Sequence, residues 1–174
     1  PPTMALQETP YFPDGDTALA RTLFEEALQE MGMTRESLPS ITLLFRSGDL
    51  SSKIAQAVQQ QWKGALGITA TLEATEWKIM VDKMAHGDYS IGSKTWIADF
   101  NDPINFLGLY LYKDDPVKGG RNETGWEDAD YTELLLAAGK ITNPTERMGL
   151  LHAAEGILVD QMPVIPIFHP TYTF

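Results

Sequence analysis

Apolar residues recur along this chain at two alternating periods. From Thr17 to Met31, Leu19, Leu23, Phe24, Ala27 and Leu28 share one helical face, with Asp16 placed to cap the start and Gly32 to stop the end. After Pro39 the run "SITLLF" (40–45) is short and almost continuously apolar, the pattern of a strand buried on both faces. Helical spacing returns from Asp49 to Lys63 through Leu50, Ile54, Ala57, Val58 and Trp62, with Gly64 and Gly67 flanking its end. "ITATLEA" (68–74) then alternates like a strand. A helix from Glu76 to about His86 follows, with Trp77, Met80, Val81 and Met84 on one face, Thr75 as its expected cap and Gly87 as its stop. "DYSIGSKTW" (88–96) reads as a third strand. Beyond it the pattern predicts a helix over 103–112, a polar glycine-rich loop over 113–128, and helices over 129–140 and 144–161. The last of these is opened by Asn143 as cap and Pro144 at the first helical position. "VIPIF" (164–168) is expected to close the chain with a short strand, and the first fifteen residues, with four prolines and one glycine, read as an extended arm.

Strand, helix, strand, helix, strand is the order that right-handed crossovers build. The expected fold class is therefore α/β, with a mixed, largely parallel sheet covered by helices. No internal repeat or low-complexity tract interrupts it, and residues 1–174 are expected to form a single domain. In such folds ligands sit beyond the carboxyl ends of the strands. That directs attention to "KTWIADFNDPINFL" (94–107), where the third strand runs into a helix.

Composition narrows the partners. A chain of 174 residues, 43% hydrophobic and 10% aromatic, is long and apolar enough for a folded core. Thirteen basic against twenty-four acidic residues leave a net charge of −11, which argues against nucleic acid and anionic membrane, since both need clustered Lys and Arg. The acidity itself reads as a solubility feature. The absence of cysteine excludes disulfides, thiolate zinc sites and a cysteine nucleophile. No apolar run approaches the roughly 18 residues that span a bilayer. "PPTMALQETP" lacks the basic start and apolar centre of a signal peptide, and a chain opening on Pro-Pro is read as an excised piece of something larger.

Asp99 is the leading candidate for chemistry. It stands among Trp96, Ile97, Phe100, Ile104, Phe106 and Leu107, where a buried charge would cost several kcal/mol unless something cationic met it. Two readings are open. Asp99 caps neighbouring backbone N–H groups, or it forms with Trp96 a pocket with aromatic walls and an anionic end, suited to an amine. Asp102 precedes Pro103 and is expected to cap the helix that follows, at about 1 kcal/mol. His86, His152 and His169 lie 66 and 17 residues apart, so no pair has the close spacing of a helical metal site. The acidic group Asp114, Asp115, Glu123, Glu127 and Asp128 lacks calcium-loop spacing and reads as solvated. No G-x-S-x-G, H-E-x-x-H, Walker A or G-x-G-x-x-G motif is present. A non-enzymatic protein is expected, with no cofactor and no metal.

Four stretches, in order, carry a resemblance. "PDGDTALARTLFEEALQEMGM" (13–33), "KIAQAVQQQWKGALGITATLEATEW" (53–77), "GDYSIGSKTWIADFNDPINFL" (87–107) and "DYTELLLAAGKITNPTERMGLLHAAEGILVDQMPVIPIF" (130–168) resemble segments of the family 5 extracellular solute-binding proteins, the oligopeptide and dipeptide receptors of ABC importers. The likeness covers nearly the whole chain. It implies a periplasmic-binding-protein-like lobe, most of the second of two lobes that close on a ligand, with the first lobe missing.

The resemblance also implies roles. Asp99, in the Trp-x-x-Asp element, maps onto the aspartate that pairs with a peptide's α-ammonium, while Trp96 and Trp77 map onto tryptophans that wall side-chain pockets. Ile97 departs from the small or sulfur-containing residues common after that tryptophan and reshapes the pocket. Basic residues that some relatives use for the peptide carboxylate are absent just before Trp96, and Lys94 is the nearest substitute. The implied partners are an oligopeptide and the membrane subunits of an ABC permease. The implied location is periplasmic or extracytoplasmic, with a lipid anchor on the full-length protein left open. Relatives that bind nickel complexes, haem or sugars keep a non-peptide ligand as the alternative. A small hydrolase using Asp99 with His86 or His169 is the more remote one.

Overall fold

The computed structural model describes Tyr11, residues 15–111 and residues 122–168. Most of the expected arm, residues 113–121 of the expected loop, and His169 lie outside the described residues. The chain divides into two compact units, residues 12–95 and residues 1–11 with 96–174.

In the unit of residues 12–95, α1 (Thr17–Glu30) begins where the Asp16 carboxylate accepts the Leu19 N–H. Strand β1 (Thr42–Arg46) follows, then α2 (Asp49–Leu66), β2 (Thr71–Thr75), α3 (Trp77–Ala85) and β3 (Ile91–Ser93). The three strands form one parallel sheet in the order β2-β1-β3, with Thr42 opposite Thr71 and Leu43 opposite Ile91. The α/β expectation with a parallel sheet is met. Leu43, Leu44 and Phe45 are all buried, as a central strand covered on both faces requires. Alternation along β1 sends Leu43 and Phe45 to a cluster with Ala55 and Val58 of α2, and Leu44 to a second cluster with Met80 and Met84 of α3. The two crossover helices therefore cover opposite faces. Glycine at 92 permits the second contact, because a β-carbon there would stand 2.9 Å from the Met84 methyl. Helix α2 runs to Leu66, past the expected end at Lys63, and stops when Gly67 turns left-handed at φ 72°.

Three expectations in this unit need correction. Thr75 does not cap α3. It ends β2, its hydroxyl buried without a hydrogen-bond partner, and the cap position is Glu76, which makes no side-chain cap bond. Strand β3 is three residues long, so Trp96 lies outside it. On α3, Met80 and Met84 are buried and Val81 is half-buried, but Trp77, one turn earlier, is 45% exposed.

The second unit is helical. Its elements are α4 (Ile104–Leu107), a 3₁₀ turn over Gly108–Tyr110, α5 (Ala129–Ala138) and α6 (Pro144–Gln161). The expected helix over 103–112 is thus a single α turn continued as 3₁₀. Asp128 caps α5 by accepting the Tyr131 N–H, and Asn143 caps α6 by accepting from Thr145 and Glu146, with Pro144 in the first turn. Helices α5 and α6 pack through Tyr131, Leu135, Ala138, Leu151, Ala154 and Leu158, and Leu107 of α4 joins that core. Tyr131 is fully buried and donates its hydroxyl to the Leu107 carbonyl at 2.7 Å, tying α4 to α5. Buried Asn122 donates to the Tyr110 and Trp126 carbonyls and so fixes the entry to α5. The closing strand is not formed: residues 164–168 are irregular, with Ile165, Ile167 and Phe168 exposed.

Candidate functional site

The Trp-x-x-Asp element lies at the start of the second unit, in irregular backbone just before α4. Trp96 is partly buried and donates its indole N–H to the Asn105 side-chain oxygen at 2.7 Å. Asn105 is itself 7% exposed, so the acceptor is held inside α4. Ile97 and Phe100 are 63% and 55% exposed. Asp99 is exposed, and no hydrogen bond or ion pair joins it to the described residues. Both premises about Asp99 therefore change: it is not buried among aromatics, and it does not cap the backbone. It is a solvated carboxylate three residues from an anchored indole.

Asp102 behaves differently. One of its oxygens accepts the Ile104 N–H at 2.9 Å, which is the expected capping bond, although Pro103 holds the formal cap position. The same carboxylate receives a two-pronged pair from Arg147 of α6, at 2.7 and 2.9 Å. Arg147 holds the Asp102 carboxyl below its ordinary range, and Asp102 raises the guanidinium in return. The segment that follows Asp99 is thus braced twice, by Asn105 inside α4 and by Arg147 across to α6.

The remaining candidates, Trp77 and Lys94, belong to the other unit. Trp77 opens α3, and the Arg46 guanidinium lies over its ring, 6.0 Å from the centroid. Lys94 is exposed and already engaged by a neighbour. Sequence reasoning missed Asn105 and the Asp102–Arg147 pair. The first left a trace, an amide inside the apolar run "INFL"; the second, spanning 45 positions, left none. Among the described residues no group of three or more His, Asp or Glu could hold a metal ion, and no helix is long and apolar enough to cross a membrane.

Residues 1–117 match the family described as bacterial extracellular solute-binding proteins, family 5, middle region. Over its whole length the chain is 44% identical to the oligopeptide-binding protein OppA of Bacillus subtilis strain 168, of which it covers 32%. It is 34% identical to the probable deoxycholate-binding periplasmic protein YgiS of Escherichia coli K12, with 87% of this chain and 27% of that protein aligned. The solved structure of the E. coli murein tripeptide binding protein MppA superposes with a TM-score of 0.78 at 27% identity, over 92% of this chain and 30% of that one. The chain thus spans about a third of the length of the relatives it matches, and its α/β architecture is that of periplasmic binding proteins. A parallel sheet with crossover helices, the Trp-x-x-Asp element and the match over residues 1–117 lead to one assignment: the chain belongs to family 5 of the bacterial extracellular solute-binding proteins, a family of binders rather than enzymes.

Proposed function

We propose that residues 1–174 form most of the second lobe of a peptide receptor serving an ABC importer, and that Asp99 pairs with the α-ammonium of the bound peptide. The observation that carries this reading is the exposed carboxylate of Asp99, without a partner among the described residues, three positions after an indole that Asn105 accepts from. A carboxylate without a partner among the described residues is available to a ligand cation, and Trp96 of the same segment offers a flat apolar ring for the ligand to lie against. Ile97, exposed beside Trp96, shapes the same wall. Trp77 and Lys94 enter the proposal on the family resemblance alone. The permease, a periplasmic or extracytoplasmic location and a first lobe to close on the ligand belong to the same proposal. The oligopeptide- and murein-tripeptide-binding relatives support its peptide part.

The experiment is calorimetric, on the full-length two-lobed protein. When enclosure removes water from the Asp99–ammonium pair, deleting one partner costs about 3–5 kcal/mol. Asp99→Asn is therefore expected to weaken peptide binding more than about a hundredfold and to leave the melting temperature of the free protein unchanged. N-acetylated peptides are expected to bind as poorly to the unaltered protein. Equal affinity for free and acetylated peptides overturns the reading. The likeness to a probable deoxycholate-binding protein favours a second one, a ligand without an amine. Tight binding of deoxycholate, indifferent to Asp99→Asn, would establish it.

A further inference from the structure

Asp99 stands midway along a short loop of irregular backbone, and side chains tie both ends of that loop to the helical unit. Three positions before it, Trp96 donates to Asn105 of α4 at 2.7 Å. Three positions after it, Asp102 accepts both prongs of Arg147 of α6, at 2.7 and 2.9 Å, and the Ile104 N–H at 2.9 Å. The Asp102 N–H in turn donates to the Phe100 carbonyl at 3.0 Å, so the bonded part of the loop begins directly after Asp99. Asp99 has no partner of its own among the described residues. Its place is therefore set by the two ends of the loop and not by any bond at its carboxylate.

The two ends are not equal. Trp96 is held by one neutral hydrogen bond, whereas Asp102 is held by a charge-assisted fork and a backbone donor together. The Asp102 and Arg147 side chains are 27% and 26% exposed, so solvent screens their attraction less than that of a surface pair. Two parallel bonds from a planar guanidinium fix direction as well as distance. The fork is also mounted on a firm support. Arg147 lies near the start of α6, whose next turns place Leu151 and Ala154 in the α5–α6 core.

We propose that Arg147 is the positioning residue for Asp99, holding through Asp102 the end of the loop that presents the carboxylate to the ligand's ammonium. This rests on the peptide reading above and deepens it, by naming a residue far along the chain that sets amine selectivity without meeting the ligand. A binding group needs such support because its contact is lost when the loop that carries it drifts by a fraction of an ångström.

The test uses the full-length receptor and one peptide with a free or an N-acetylated amino terminus, the ratio of the two affinities reporting on the ammonium contact. Arg147→Met is expected to lower that ratio about tenfold, the scale of coupling between residues of one bonded network. Asp102→Asn keeps an oxygen for Ile104 but breaks the charged fork, and is expected to lower the ratio equally. The double variant is expected to fall no further than either single one, since the two side chains act as one brace. Arg147→Lys keeps the charge, loses the second prong and is expected to lie between. A merely structural role lowers both affinities together and leaves the ratio where it was. Should Arg147→Met fail to fold, Asp102→Asn and Arg147→Lys decide by the same ratio. A ratio unchanged in the variants, or falling additively in the double one, overturns the proposal and leaves the Asp99 reading standing. A ratio near one in the unaltered receptor overturns the Asp99 reading, and this proposal with it.

Discussion

The indole N–H of Trp96 meets the side-chain oxygen of Asn105 at 2.7 Å, and this bond links an irregular segment to the first turn of α4. The tryptophan's orientation is set from inside the helical unit, by an acceptor that is almost fully buried. Asn105→Leu removes the acceptor and strands the donor. Ligand affinity in the full-length receptor is expected to fall by about 1–2 kcal/mol, with a shift in tryptophan emission. In a Trp96→Phe background the same substitution is expected to leave affinity unchanged, because there is no donor left to orient. Calorimetry on the four proteins of that cycle measures the coupling, and additive effects would show that Asn105 does not act through Trp96.

The pair of Asp102 and Arg147 makes a larger prediction for stability than a cap alone. Asp102→Ala loses both the Ile104 N–H contact and the two-pronged bond to Arg147, and is expected to cost about 2–4 kcal/mol by denaturant titration. Asp102→Asn tests the pH dependence. The folded carboxyl titrates below its ordinary value of 3.8 because Arg147 donates to it. Its contribution is therefore fully present above that value and is lost as pH falls through the lower, folded one. The fall in melting temperature between pH 6 and pH 3 is expected to be smaller in Asp102→Asn than in the unaltered protein. An equal fall in both would show that Asp102 is not the group responsible.

Thr75 offers a gain instead of a loss. Its hydroxyl is buried with no partner, and a stranded polar group of this kind costs on the order of 1 kcal/mol. Thr75→Val keeps the branched shape that suits the end of β2 and removes the stranded oxygen. A rise in melting temperature of a few degrees is expected, and a fall would show that an ordered water completes the site.

Much of this arrangement is legible in the sequence because it is locally encoded. Asp16, Asn143 and Pro144 sit where their chemistry closes a helix end, and Leu43 to Phe45 carry the unbroken apolar signature of a central strand. Local signals fail where tertiary contacts decide. Trp77 has the right helical phase for the core but lies at the end of its helix, where Arg46 can cover it from outside. "VIPIF" has strand-like residues yet no partner strand among the described residues, and pairing, not propensity, makes a strand. The aromatic sequence neighbours of Asp99 suggest a costly buried charge. In the folded unit Ile97 and Phe100 are themselves exposed, so the apolar surroundings assumed from sequence are not there.

The separate cores on either side of Trp96 also set a timetable. The α5–α6 pair closes through a connection of residues 139–143, so its contacts are near in sequence, whereas β1 must find β2 and β3 across 29 and 48 positions. Closing long loops before any reward arrives makes parallel pairing slow, and short hairpins of helices form early. Pulsed hydrogen exchange during refolding is expected to protect the amides of Leu135 and Leu151 before those of Leu44, and simultaneous protection would show one cooperative event instead of two. If the order holds, the braces on the Trp96 segment, Asn105 and Arg147, are in place while the parallel sheet of the other unit is still unformed.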